Sequence, residues 1–396
     1  MNELSLIRLN AILNGEEDII AAEEKAFLSA IDPKGEINFL DEVSGVPAVF
    51  LVQTGGSEPR FLERFEKYPE PYIFLVTGTR NSLAASLEML SYCQARGKRG
   101  KIIMGEVNHI REELLDYISF HRARKELYGL RLGTIGSPSD WLIASDVDQV
   151  EVRKKLGIVL VDVPYDEFLR NIDAVKEVPE ALFDRFKNKT NRLDDLKESL
   201  RIYMALKKIC EGYELGGFTL RCFDLLNLKH QTSCLAFGLL NEEGILAGCE
   251  GDVPALLTMA LAKANFGYAP FMANPSCFQM ETNTAIYAHC TLPLDFAKSF
   301  SLDTHFESGL GFGIRGEIKE GPVTCFKLAP DLSDIMALEG EIISNPHSPI
   351  MCRSQIEIKF ASPLSQIIEH PYGNHMIFAF GKKATYLRNF YAFLCK

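Results

Sequence analysis

The sequence lacks several features that would each assign it to a particular class of protein. Its ten cysteines include no CxxC pair and no regular spacing, so a disulfide framework is not indicated. No stretch approaches the ~18 consecutive apolar residues that a membrane-spanning helix requires. Residues 1–15 have neither the basic nor the apolar region of a secretory signal. These absences are typical of a soluble, cytoplasmic protein that does not engage a membrane.

The sequence also has fewer basic than acidic residues. Lysine and arginine total 42 against 53 for aspartate and glutamate, which gives a net charge of −11. A nucleic-acid-binding surface would show as clustered Lys and Arg, so we expect no nucleic-acid partner. Neither GxGxxG nor a P-loop occurs, so the usual nucleotide-binding motifs are absent. The simplest explanation of the acidic excess is solubility.

The length and the residue distribution indicate two domains of different character. A chain of 396 residues is long for one ordinary domain, taking ~150 residues per domain as a guide. Nine of the ten cysteines and six of the eight histidines lie beyond residue 200. Any chemistry that uses thiol or imidazole groups is therefore expected in the second half.

The first half alternates short apolar runs with helical stretches. Residues 1–46 are charged and weakly periodic, and we interpret them as one or two lead-in helices. Residues 47–172 contain glycine-bounded apolar runs separated by helices, which is typical of βαβ units. Runs that are apolar on both faces predict a doubly wound parallel sheet covered by helices. The predicted fold is an α/β, flavodoxin-like or Rossmann-like domain, with runs at 48–52, 72–76, 101–104, 130–135 and 158–163.

The second half of the chain has a different residue pattern. Residues 173–212 are highly charged and helical, which predicts a helical connector with solvated faces. Residues 213–396 include strand-like alternation at 355–360, where apolar side chains share one face. We therefore expect an α+β domain rich in antiparallel strands to follow the α/β domain.

Two carboxylates flank a glycine just before an apolar helix predicted at 253–264. They are Glu250 and Asp252, which follow an apolar strand. Acidic groups at a helix N-terminus are held ionised by the helix dipole, which suits metal ligation or proton transfer. A plain N-cap is the alternative, and it fits Asp252 better than Glu250.

Histidines recur at predicted strand ends with acids nearby. His289 ends an apolar run, His305 and Glu307 are expected on one strand face, and His375 precedes the apolar run at 376–380. Imidazole combined with carboxylate suits divalent transition metals. Each histidine alone would be an ordinary core or surface residue.

The order of these motifs resembles the L-fucose and L-arabinose isomerases over about the last 180 residues. The matching positions are Glu250-Gly251-Asp252, the segment 271–274, Ala288-His289 and Gly373-Asn374-His375. The resemblance implies an aldose–ketose isomerase that uses a divalent cation, typically Mn²⁺, and assembles as a homo-oligomer. It also implies that Glu250 is a metal-binding catalytic glutamate and that His375 and His289 are metal ligands.

One position departs from that family. Asn274 stands where the resemblance implies a second catalytic carboxylate. An amide oxygen can ligate a hard cation, but it cannot take a proton, so Asp252 or Glu307 would have to supply the second base. The departure leaves two alternatives open: a carbohydrate-binding relative without catalysis, or a metal-dependent epimerase or lyase that uses the same enediolate chemistry.

Four further residues are predicted to contact a sugar. Arg221 and Arg353 would clamp an anionic sugar, because a guanidinium pairs bidentately with carboxylate, phosphate or sulfonate groups; ordinary ion pairs are the alternative. Trp141, the single tryptophan, would stack on a sugar ring, with packing in the core or as a cap as the alternative, and His305 would face the substrate. The expected partner is thus a small sugar molecule.

Overall fold

A computed structural model describes residues 2–11 and 16–395 of the chain. The described chain divides into two compact units, residues up to 122 and residues 123–395. An α/β architecture precedes an antiparallel region, so the predicted fold class is confirmed.

The first unit is a parallel sheet with helical connections. Its five strands run in the order β2-β1-β3-β4-β5, and every neighbouring pair is parallel. Strand β4 is buried along its whole length, as expected for a sheet covered on both faces. The elements are β1 (Asn2–Leu9), α1 (Glu17–Ile31), β2 (Ile37–Asp41), β3 (Ala48–Val52), α2 (Glu58–Leu62), β4 (Tyr72–Val76), α3 (Ser82–Ala95), β5 (Gly100–Ile103) and α4 (Val107–Leu127).

The lead-in region differs from the prediction of helices alone. Helix α1 is present, but β1 and β2 are strands, and β1 lies at the second position of the sheet. The mixed polarity of β1 concealed this, because Asn2, Glu3 and Arg8 interrupt its apolar residues. Leu4, Leu6 and their neighbours are nevertheless buried, since β1 is hydrogen-bonded on both sides.

The second unit begins with a separate parallel sheet of order β7-β6-β8-β9. The strands predicted within 47–172 therefore belong to two sheets rather than to one. The long helix α8 buries one face, including Leu196 and Leu200, and is more than a solvated connector. The elements are β6 (Arg131–Ile135), α5 (Gln149–Leu156), β7 (Val159–Val163), α6 (Tyr165–Ala174), α7 (Glu180–Asp184), α8 (Leu193–Tyr213), β8 (Gly217–Leu220), α9 (Asp224–Lys229), α10 (Cys234–Glu242), β9 (Leu246–Gly248) and α11 (Val253–Phe266).

The remainder of this unit is dominated by antiparallel strands. Six of them close into a barrel of order β10-β11-β16-β15-β14-β17, and β12 pairs with β13 separately. These elements are β10 (Phe271–Gln279), β11 (Thr284–His289), β12 (Ala297–Asp303), β13 (Gly313–Ile318), β14 (Gly321–Leu328), β15 (Ile335–Ser344), β16 (Ser354–Phe360), α12 (Ser365–Glu369), β17 (Met376–Phe380) and α13 (Ala384–Cys395).

The division into two compact units falls inside a helix. One unit ends at residue 122 and the other begins at residue 123, within α4, and the predicted domain limits at 46, 172 and 212 stay predictions. Strands β8 and β9, which were assigned to the segment 213–396, complete the sheet that β6 and β7 begin. Among the described residues, no helix is both long enough and apolar enough to cross a bilayer.

Candidate metal centre and active site

Glu250 lies in the turn between β9 and α11, and its backbone is held in the left-handed region. The φ angle is 63° at Glu250 and 76° at Gly251. A Cβ atom at position 251 would lie 2.6 Å from the Cα of Pro138, so the approach of that loop requires glycine. A non-glycine residue in this region is strained, and such strain clusters at functional sites.

The loop that packs on this turn also fixes the Glu250 side chain. The indole Nε1 of Trp141 donates a hydrogen bond of 2.6 Å to Glu250 Oε2. The Ser139 amide donates to the Glu250 carbonyl at 2.9 Å. The other carboxylate oxygen, Oε1, lies 3.4 Å from Nε2 of His375. Glu250 is thereby oriented by a residue more than one hundred positions away.

Three neighbouring barrel strands bring the other polar residues to this point. In the ladder between β10 and β11, Asn274 is opposite Ala288, the residue before His289. In the ladder between β10 and β17, Ala273 is opposite Met376, the residue after His375. Asn274 and His289 thus lie on paired strands and His375 lies just before the third, at neighbouring positions, although 101 residues separate Asn274 from His375.

Glu250, His289 and His375 form a buried cluster that could hold a metal ion. One ligand atom from each lies within 4.8 Å of the others. His375 Nε2 and Asn274 Oδ1 are both buried without a hydrogen-bond partner. A buried polar atom without a partner is costly, so two such atoms close together in the strand register fit the binding of a cation there. The nitrogen and oxygen donors fit a divalent transition metal.

Asp252 lies behind His375 rather than at the cavity. Its carboxylate accepts from His375 Nδ1 at 2.9 Å and from the Ala255 amide at 2.7 Å, the second as the N-cap of α11. Lys327 Nζ is 3.1 Å from Oδ2 of the same carboxylate. A carboxylate on the far nitrogen of a histidine is the usual support of a metal ligand. The structure therefore does not bring Asp252 into the position of a proton-transfer group.

His289 is supported from behind by Thr291. The Thr291 hydroxyl lies 2.7 Å from His289 Nδ1, and the Thr291 amide donates to the same nitrogen at 3.0 Å. Because Nδ1 accepts from the amide, the neutral ring carries its proton on Nε2. Binding of a metal ion at Nε2 would require that proton to move to Nδ1, where the Thr291 hydroxyl oxygen can accept it. Burial, together with the nearby charge of His375, lowers the pKa of His289 to about 3, so the ring is neutral near pH 7.

The remaining charges are set by mutual contact. Burial favours the neutral acid at Glu250, but the His375 imidazole and the Trp141 indole outweigh it and hold the pKa of Glu250 at about 2. Burial would lower the pKa of His375, but Asp252 and Glu250 outweigh it and raise that pKa. The centre therefore pairs an ionised carboxylate with an imidazole whose pKa lies above its ordinary value.

A cavity that is partly open to solvent adjoins the cluster. Of the predicted site residues, the lining includes Glu250, Asn274, His289, His305 and Glu307. Five thiols also line it, which gives the excess of cysteine beyond residue 200 a location: Cys222, Cys234, Cys249, Cys290 and Cys352. No lysine or arginine is among the described residues that line this cavity.

His305 and Glu307 line the cavity, but not from a strand. The prediction that they share a strand face is wrong, because β12 ends at Asp303 and the chain then turns. The turn includes Gly309 and Gly311 at positive φ, which ends the extended conformation. Partial burial and the Glu250 charge raise the pKa of Glu307.

The two predicted arginine clamps do not line the cavity. Arg221 donates twice to Asp140, with both distances 2.9 Å, and twice to Asp224. Arg353 donates to the Thr304 carbonyl at 2.7 Å and is mostly buried. In this structure, Arg221 supports the loop that carries Trp141, and Arg353 supports the turn that carries His305.

Two residues of the site were missed from the sequence. Phe223 lines the cavity and meets the rings of Trp141 and His305 edge-on, with centroids 5.0 and 5.8 Å away. Nothing in the local sequence distinguishes it from a core residue. Lys327 could have been noticed, because it is a single cation inside the apolar run 325–329.

Comparison with known proteins gives distant relatives named as sugar isomerases. Proteins named sulfoquinovose isomerase from Priestia megaterium and Priestia aryabhattai are each 21% identical to this chain over 306 residues, covering 70% of the chain. The protein of that name from Alkalicoccus urumqiensis is 24% identical over 264 residues, or 62% of the chain. No protein-family model matches the chain.

The match covers only part of each relative. It spans 66% of the Priestia proteins and 58% of the Alkalicoccus protein, which is less than two thirds of their length. The likeness is therefore to named sugar isomerases, and the narrower resemblance to L-fucose and L-arabinose isomerases stays a prediction.

Proposed function

We propose that this chain is a metal-dependent aldose–ketose isomerase for a monosaccharide, with a sulfonated hexose as the first substrate to test. The observation that carries the proposal is the convergence of Glu250, His289 and His375 at a cavity that Glu307 also lines. The names of the distant relatives give the substrate class.

The reaction requires two proton movements and no net redox change. A proton leaves C2 and returns to C1, while a second proton passes from the C2 oxygen to the C1 oxygen, through an enediol. A divalent cation, with Mn²⁺ proposed, would be held by Glu250, His289, His375 and Asn274, and would act as a Lewis acid on the sugar oxygens. The protein must then supply a group that moves the carbon-bound proton.

We assign the second proton-transfer role to Glu307 rather than to Asp252. Glu250 and Glu307 are the carboxylates among the described residues of the cavity lining. The raised pKa of Glu307 brings it nearer to the value that favours a general base, whereas the low pKa of Glu250 favours an ionised ligand. Asp252 is occupied by His375 and Lys327.

The sugar would be held by groups around the same cavity. Trp141 is half exposed and offers a ring face, and His305 is held at Nδ1 by Ser308 Oγ, 3.1 Å away. For a sulfonate, we assign Arg221, which lies outside the cavity lining but contacts the loop that carries Trp141, and whose partner Asp140 has a side chain that is 85% exposed. A sulfonate presents paired oxygens as the Asp140 carboxylate does, so a substrate anion would replace Asp140 on the guanidinium.

The test is conversion followed by NMR in deuterated water, with the full-length protein loaded with Mn²⁺ and the metal removed before the spectra are recorded. Sulfoquinovose, glucose, L-fucose and L-arabinose form the first panel. We expect ketose formation with deuterium exchange at C2, and loss of both when a chelator is present during the reaction. Absence of conversion and of exchange across neutral and anionic sugars would overturn the proposal.

Arg221→Gln and Asp140→Asn test the anion assignment as a matched pair. The arginine variant should raise KM for sulfoquinovose and leave KM for glucose unchanged, if both sugars are converted. The Asp140 variant frees the guanidinium and should lower KM for the sulfonated sugar. Equal effects of either change on both sugars would remove Arg221 from substrate binding.

A sugar-binding protein without catalysis is the second candidate, and Asn274 is the observation that favours it. An amide replaces a carboxylate there, so one expected base is missing. Calorimetry distinguishes the two, because the binder would bind a sugar without turnover. A product other than the ketose would instead indicate an epimerase or lyase.

The proposed assembly as a homo-oligomer has a separate test, which is the molar mass measured by light scattering after size exclusion.

A further inference from the structure

A lysine is completely buried behind the metal centre. Lys327 lies on β14 with its side chain 1% exposed, and Asp252 and His375 are each 0% exposed. Lysine is almost never fully buried unless it is paired. The Lys327 ammonium contacts Asp252, at 3.1 Å to Oδ2 and 3.3 Å to Oδ1.

The pair is not explained by stability alone. Moving two charges out of water is expensive, and apolar residues of similar volume commonly serve as well or better. The neighbours of Lys327 along β14 include Cys325, Phe326 and Leu328, all buried, so an apolar side chain would suit the position. A buried ion pair retained in such surroundings needs another reason.

That reason lies in the donors around Asp252. Oδ1 accepts from the Ala255 amide, and Oδ2 accepts from His375 Nδ1, while the Lys327 ammonium contacts both oxygens. With Nδ1–H used in this way, the unprotonated nitrogen of a neutral His375 ring is Nε2. Nε2 is the atom that lies near Glu250 and has no hydrogen-bond partner.

We propose that Lys327 is a positioning residue, whose ammonium compensates Asp252 so that this carboxylate can hold His375 with Nε2 directed at the metal. The inference rests on the metal site of the proposed function. It extends the centre by one layer, from His375 through Asp252 to a lysine 75 residues further along the chain than Asp252. Removing the ammonium leaves a buried carboxylate uncompensated and releases the imidazole from its orientation.

The experiment measures Mn²⁺ affinity and histidine tautomer in the full-length protein. Lys327→Met keeps the length of the side chain and removes the charge, and the double variant Asp252→Asn with Lys327→Met removes both charges in case the single variant does not fold. Lys263→Met is the matched control, because Lys263 is a partly buried lysine that contacts the Gly244 carbonyl instead. Folding is followed by circular dichroism.

We expect Lys327→Met, or the double variant, to bind Mn²⁺ about 10–100-fold more weakly by calorimetry, as is typical when a metal ligand loses its support. Lys263→Met should bind like the wild type. Nitrogen-15 NMR of the metal-free protein, recorded at an alkaline pH where the His375 ring is neutral, should show the Nδ1–H form of His375 in the wild type and a mixture of tautomers in the variant.

The outcomes separate the two proposals. Unchanged Mn²⁺ affinity and an unchanged tautomer in a folded variant would overturn the role of Lys327. Failure of the wild type to bind Mn²⁺ would overturn the metal site of the proposed function, and the tautomer measurement would still decide whether Lys327 orients His375. A shift in tautomer with Lys263→Met would also count against a specific role for Lys327.

Discussion

Each of the two parallel sheets has polar residues beyond its strand ends, where α/β folds commonly bind ligands. The two groups of residues differ in how completely they are hydrogen-bonded. In the first sheet the groups bond to one another. Asn10 Nδ2 donates to Gln53 Oε1 at 2.9 Å, Arg60 donates to Asn10 Oδ1 at 2.8 Å, and Gln53 donates to Glu24 at 2.9 Å.

The second sheet is followed by a turn near which some buried polar atoms have no hydrogen-bond partner. Glu250 follows β9, and the side chains gathered beside it include the unpartnered His375 Nε2 and Asn274 Oδ1. Polar residues at a strand end are therefore a poor guide to a site by themselves. What sets the second region apart is that its two unpartnered polar atoms lie near a carboxylate and a second histidine.

Removing the Glu250 carboxylate should have the largest effect. Glu250→Gln retains the shape but removes the anionic ligand, so we expect loss of Mn²⁺ binding and a fall in isomerisation rate of about 10²–10⁴-fold, the range for a positioned acid–base group. Calorimetry and initial rates measure these. Glu24→Gln, at the first sheet, is the control and should leave Mn²⁺ affinity unaltered. Wild-type affinity in Glu250→Gln would contradict the assignment.

Acid should destabilise the metal-free protein partly through Glu250. Its folded pKa, about 2, lies below the ordinary 4.5, so its contribution is present above pH 4.5 and is lost as the pH falls toward 2. The shift corresponds to about 3 kcal/mol. Urea titrations from pH 5 to 2 should show that the free energy of unfolding falls more steeply in the wild type than in Glu250→Gln. Parallel pH profiles for the two proteins would be the contrary result.

A side chain at position 251, in the Glu250 turn, should lower the free energy of unfolding by more than backbone strain alone would. Gly251 and Gly267 have nearly the same φ, 76° and 78°, but a Cβ at position 267 would meet no atom within 4 Å. Gly267→Ala should therefore cost about 1–2 kcal/mol from the left-handed backbone. Gly251→Ala should cost more in urea unfolding and should also weaken Mn²⁺ binding. Equal costs would show that the Pro138 loop yields freely.

The last comparison uses two asparagines, Asn10 in the hydrogen-bonded network of the first sheet and Asn274 at the candidate metal centre. Asn10→Ala breaks bonds to Gln53 and Arg60, so it should lower the free energy of unfolding by about 1–3 kcal/mol and leave Mn²⁺ affinity unchanged. Asn274→Ala removes an oxygen without a partner, so stability should change less while Mn²⁺ or sugar affinity falls. Reversal of this pattern would remove the distinction between the two sheets.

Local pattern was enough for much of the fold. The runs 48–52 and 72–76 are strands with those bounds, because continuous apolar residues bounded by glycine and proline specify buried strands. Strand β1 was missed, since its polar residues hide a pattern that only pairing on both sides makes clear. The division into two sheets depends on strand pairing, which is not local either.

The candidate site shows the same limit. Glu250, His289 and His375 were chosen by residue type and order, and the structure brings them together. The behaviour of Asp252 and Arg221 was not predictable, because it depends on partners elsewhere in the chain, Lys327 and Asp140. Residue type indicates what a side chain can do, but its partners determine whether it is free to do it.

The contact between the single tryptophan and Glu250 makes the protein its own optical probe. All indole emission of the chain comes from Trp141, whose Nε1–H is bonded to the carboxylate of the proposed metal ligand. A paramagnetic ion at that carboxylate would quench this emission, and a sugar stacked on the half-exposed ring would shift it. Occupancy of the centre can thus be read in an unlabelled sample, at concentrations far below those that calorimetry needs.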